Sequence, residues 1–108
     1  MKKFIQSELM EGYIVQVRGL KSRWSRTIIK VLDSWASHDA MVVRKNGILG
    51  IGDIQPFRAR VTPLSEYERA VEKGEIEIRI LAPFDYAHYD GMCASYWWVT
   101  HEDGKIYN

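Results

Sequence analysis

The chain has 108 residues, of which 46% are apolar and 27% charged, with a net charge of +1. These values describe one soluble globular domain spanning 1–108, exclude a disordered chain, and give no reason to expect nucleic acid as a partner. The single cysteine, Cys93, excludes an internal disulfide framework and any CxxC zinc or redox motif.

Met1-Lys2-Lys3-Phe4-Ile5 begins like a signal peptide, but Gln6, Ser7 and Glu8 interrupt the apolar region that would have to follow. No run approaches transmembrane length, so the expectation is a protein that is cytoplasmic where it is made, with no membrane span. Gly12 to Gly19 encloses Tyr13-Ile14-Val15-Gln16-Val17-Arg18, a short apolar strand. From about Lys21 to Asp33, the residues Trp24, Ile28, Val31, Leu32 and Trp35 recur at helical spacing and predict an amphipathic helix. Lys21, Arg23 and Arg26 then form its wet face, and nucleic-acid binding through them and Trp24 is the weaker reading.

Ser37 to Val43 reads as a strand entered from a polar corner. Asn46-Gly47 signals a tight hairpin into a second strand, Ile48 to Ile54. Gly50 and Gly52 inside that strand predict a bulge or a close backbone approach. Thr62-Pro63 opens a helix, with Thr62 as N-cap and Pro63 at its first position, and Gly74 closes it. Glu75 to Leu81 alternates as a strand with its isoleucines toward the core. Ala82 to Gly91 is loop, and Cys93 to Glu102 is a final helix ended by Gly104. The predicted class is α+β, a small antiparallel sheet packed with helices.

Cys93 is the residue with the most chemistry. With Asp90 as N-cap it would fall in the first helical turn, where free N–H groups and the helix dipole favour a thiolate and could hold an oxyanion. A thiolate nucleophile needs a base, normally histidine. His101 lies eight residues along the same helix, about 12 Å away, and cannot serve. His88 is in the preceding loop, and His38 stands at the mouth of the central hairpin. A lone cysteine also commonly just packs in a core. The spacing of His88, Cys93 and His101 matches no zinc pattern, so neither a metal nor a cofactor is expected.

The order of these motifs resembles a known family. Gly12 to Gly19, the helix, and Ser34-Trp35-Ala36-Ser37-His38-Asp39-Ala40-Met41-Val42-Val43 resemble the opening of the permuted papain-like NlpC/P60 proteins, the YiiX-like cysteine hydrolases. Arg60 to Tyr67 looks like that family's "V-x-x-T-P-L-x-E-Y" segment, and Met92-Cys93-Ala94-Ser95 stands where the family has "Tyr-Cys-Ser-Glu". The likeness covers nearly the whole chain, through order and spacing rather than any one motif. Tyr13 stands where the family has aspartate, Met92 replaces the common tyrosine or aspartate, and no glutamate follows Ser95.

The resemblance implies Cys93 as nucleophile and His38 as general base. A third residue that orients the imidazole would come from the next strand, where Asp53 and Gln55 share a face. Tyr86 or Tyr89 would line the site, with Trp35 as a cleft wall. The expected substrate is a peptide or acyl group, first of all the peptide amides of a cell-wall peptidoglycan, with lipid or other acyl esters behind. A non-catalytic binding module is the competing expectation. The distance between thiol and imidazole separates the two.

Overall fold

Five strands form one antiparallel sheet in the order β4-β3-β2-β1-β5: β1 Ile14–Gly19, β2 His38–Lys45, β3 Ile48–Gln55, β4 Arg58–Pro63 and β5 Ile76–Leu81. Two helices complete the described fold, α1 Leu64–Glu72 and α2 His88–His101. The structure is a computed structural model and describes residues 9–21, 27, 30–31, 35–55 and 58–106. Most of the predicted helix from Lys21 to Asp33 lies outside the described residues; Thr27, Lys30 and Val31 are helical. The architecture is α+β, as expected from the alternation of short apolar strands with helical segments.

The strands form where β-branched residues alternate. Val15 and Val17 of β1, Ala40 and Val42 of β2, and Leu49 and Ile51 of β3 are buried and point to one face. Leu64 and Tyr67 of α1 close the core over that face. The register Val17 opposite His38 and Val42 opposite Ile51 fixes it. A slip of one residue would carry Val15, Val17 and Val42 off the core face, so burial enforces the pairing. Asn46 and Gly47 both have positive φ, at 52° and 78°, as a two-residue hairpin turn requires.

The segment before α1 differs from expectation. Arg58–Pro63 is a fourth strand paired with β3, and the helix starts only at Leu64. Pro63 takes the N-cap position and no side chain caps it, so Thr62 is a strand residue and not a cap. The strand wins because the β3 edge offers paired N–H and C=O groups as far as Pro63. In β5, Ile76 and Ile78 pack on the core as predicted, while Ile80 is largely exposed.

The opposite face of the sheet carries α2. That helix presents a stripe of small residues, with Gly91 and Ser95 buried. Gly91 rests against Gly12, whose φ is +91°, and an added Cβ on Gly91 would lie 2.1 Å from the Glu11 carbonyl oxygen. The Ser95 hydroxyl accepts the Arg44 backbone N–H at 2.8 Å. Trp98 covers Gly52 so closely that a Cβ there would stand 2.9 Å from the indole. The two glycines of β3 therefore mark a close approach, made by Trp98 at Gly52 and by Val61 at Gly50. Lys45 and Asp103 pair at 2.5 Å beyond the helix end.

Candidate acid–base site

His38 is placed by its neighbour. The Ser37 hydroxyl accepts from the Gly19 N–H at 3.1 Å and donates to the Val17 carbonyl at 3.0 Å. Those bonds anchor the start of β2 against β1, so His38 enters on the same face as Ala40 and Val42. Asp53 lies on that face too, two residues after Ile51, and is 2% exposed. His38 Nε2 approaches Asp53 Oδ2 at 3.6 Å. This is an electrostatic contact, longer than a hydrogen bond. The Tyr67 hydroxyl of α1 donates a short hydrogen bond to the same Oδ2.

His38 stands at a cavity of about 220 Å³, which is also lined by Val17, Thr62, Glu66, Tyr67, Ala70 and Ile76. Its side chain is 40% exposed, so it meets solvent and any ligand, while Asp53 behind it does not. Glu66 is paired with Arg60 at 3.3 Å. The Thr62 hydroxyl is buried and has no hydrogen-bond partner among the described residues. Tyr67, Thr62 and Glu66 were not legible as site residues in the sequence. They read as helix body, cap and wet face, and only the packing of α1 over the sheet brings them to His38.

Burial raises the Tyr67 pKa far above the ordinary phenol value, and the Asp53 charge raises it further. The folded pKa exceeds the unfolded one, so this contribution is complete below about pH 10 and falls as pH rises beyond it, by up to about 1.4 kcal/mol per pH unit. Urea melts of wild type and Tyr67→Phe from pH 8 to 11 should show a steeper alkaline loss in wild type. Parallel curves would refute this account.

Cys93 does not join the site. It is the sixth residue of α2, because the helix begins at His88, five residues earlier than predicted, with Ala87 and not Asp90 at the N-cap. At 3.6 residues per turn Cys93 points about 200° away from Gly91, which faces the sheet. The thiol is exposed. The sheet lies between the two groups: Gly52, under Trp98, alternates with Ile51 and Asp53, so α2 packs on the face opposite His38. The expected Cys93–His38 pair is therefore not made, and the first-turn N–H groups are spent before Cys93 is reached.

The remaining candidates separate as well. Trp35 is half-buried, with the Arg79 guanidinium 4.0 Å from its ring centroid and its carbonyl accepting from Arg18. Arg18 and Arg79 alternate with the core-facing Val17 and Ile78, so Trp35 is not a wall of the His38 cavity. Tyr86 donates to the Glu11 carbonyl at 2.7 Å and meets Tyr13 edge to face at 4.9 Å, a packing role that holds the loop before α2. Tyr89 is exposed one turn before Cys93, and its hydrogen bond to that thiol raises its pKa. Gln55 ends β3 opposite Arg58, and its side chain lies outside the described residues.

The exposed Cys93 thiol is separated from His38 by the sheet, so the rate and pH profile of its alkylation by iodoacetamide should not depend on that imidazole. His38→Ala should leave that profile unchanged. A labelling rate that drops in the variant would show that the two groups communicate.

Among the described residues no cluster of histidine, cysteine and carboxylates could hold a metal ion. No described helix is long and apolar enough to cross a membrane. No family model, no curated protein and no solved structure matches the chain.

Proposed function

We propose that the His38–Asp53 pair is the general base of a hydrolase acting on a carboxylic acyl bond. The observation that carries this reading is the pair itself: a buried carboxylate, held by Tyr67, behind a half-exposed imidazole at a cavity mouth. With Nε2 turned to Asp53, Nδ1 is left to take a proton from the attacking group. Asp53 fixes the ring and stabilises the imidazolium that forms. The 3.6 Å contact leaves room for the two groups to draw together when the ring is charged.

The attacking group in this proposal is water, since Cys93 lies across the sheet. That choice bears on substrate. Water under general-base catalysis cleaves an ester more readily than an amide, because an alkoxide leaves more easily than an unprotonated amide nitrogen, which must first gain a proton. The likeness to permuted papain-like NlpC/P60 proteins favours peptidoglycan peptide amides, and the α+β architecture supports that likeness at the level of class. Position 93 favours acyl esters, and the cavity of about 220 Å³ suits a short acyl group. The test compares release from p-nitrophenyl esters and from a muropeptide by wild type, His38→Ala, Asp53→Asn and Cys93→Ser.

A second reading follows from the separation of thiol and imidazole. The same cavity would then bind an acyl or peptide fragment without turnover. Saturable chemical-shift changes around His38 and Thr62, with no product formed over a day, would select it.

A further inference from the structure

Tyr67 is 5% exposed and reaches the acid–base pair from α1. Its hydroxyl hydrogen-bonds the Asp53 oxygen that also faces His38. One carboxylate oxygen is thus shared between a neutral donor and a titrating one. We propose that Tyr67 is a positioning residue for His38: it fixes the Asp53 carboxylate in place and withdraws part of its charge from the imidazole. The inference deepens the general-base reading and rests on it for its purpose, but its measurement needs no substrate.

The physical reason lies in the burial of Asp53. Without the phenol, the buried carboxylate would direct more of its charge at the neighbouring imidazole and hold a proton there more strongly. A base already protonated at neutral pH accepts nothing. The phenol disperses the carboxylate charge and so weakens that hold. Tyr67 remains a donor throughout the range in which a histidine titrates, because burial and the Asp53 charge suppress its ionisation. Among the described residues, the other charged groups facing the pair are Glu66 of α1 and Arg60 of β4, which pair with each other and offset. Asp39 follows His38 in the strand and points to the opposite face. Tyr67 also fills core volume, but phenylalanine fills the same volume, so a purely structural role predicts no change in His38 titration.

The experiment follows the His38 ring proton by NMR from pH 4 to 9 in wild type, Tyr67→Phe, Asp53→Asn and the double variant. Tyr67→Phe is expected to raise the His38 pKa by about half to one unit, and Asp53→Asn to lower it. In the Asp53→Asn background, Tyr67→Phe should produce no further shift, since the two act through one carboxylate. A Tyr67→Phe pKa within about 0.2 unit of wild type, or a shift that persists without Asp53, overturns the proposal. If Tyr67→Phe fails to fold, fluorotyrosine at position 67 keeps the shape and strengthens the donor. It should lower the His38 pKa, and no change there overturns the proposal equally. A shift without hydrolysis leaves the role of Tyr67 standing and removes the general base. Hydrolysis without the shift removes the role of Tyr67 alone.

Discussion

Gly91→Ala should destabilise the fold by about 3 kcal/mol, although the substitution sits inside a helix where alanine normally gains about 1 kcal/mol over glycine. The sign reverses because of what lies opposite. A Cβ on Gly91 would stand 2.1 Å from the Glu11 carbonyl oxygen and 2.7 Å from the Tyr86 hydroxyl. The first of these is backbone and cannot rotate away. Gly12 cannot yield either, since an added Cβ there would meet Gly91 Cα at 2.7 Å. Relief requires α2 to lift from the sheet, which strips Trp98 from Gly52 and Ser95 from the Arg44 N–H. For a domain of this size the melting temperature should fall by roughly 10 °C or more. Gly74→Ala is the control. Nothing lies within 4 Å of that position, so only its φ of +70° opposes a side chain, at about 1–2 kcal/mol. A Gly91→Ala protein as stable as wild type would mean that α2 does not dock as described.

The second large effect concerns activity. If His38 is a general base, His38→Ala should lower acyl hydrolysis by roughly 100- to 10,000-fold, the usual range for such a group. Asp53→Asn should fall in the same direction, since it keeps the shape but loses the charge behind the ring. Cys93→Ser should retain wild-type turnover, because the thiol stands on the solvent side of α2. The pattern matters more than any one value. A thiol nucleophile requires Cys93→Ser to be as inactive as His38→Ala, and that result would show that the protein rearranges to bring the two together. Full activity in His38→Ala would remove the proposed site.

Much of the scaffold was legible because it depends on neighbours a few residues apart. Alternating Val15 and Val17, or Ile76 and Ile78, can only be half-buried strand. Asn46-Gly47 adopts the positive φ values that a tight hairpin needs. Gly74 and Gly104 end their helices at φ of +70° and +84°. The β4 strand was not legible, since Arg58 to Pro63 has weak alternation and its pairing partner is supplied by β3. Within the site, Asp53 could be named beside His38 through the family resemblance, with Gln55 on the same strand face as its alternative. Tyr67 could not, because no local pattern tells which strand a helix will cover.

The sequence by itself determined the α+β class, four of the five strands, the hairpin and the C-terminal ends of the two helices, through short-range sterics and hydrophobic period. Only the tertiary structure decided that α1 covers the face bearing His38 and α2 the other. The reason is geometric. A helix begun at His88 instead of near Cys93 turns through more than a full revolution before reaching the thiol, and which side of a sheet it then takes depends on distant glycines, Gly12 and Gly52, that make room for it.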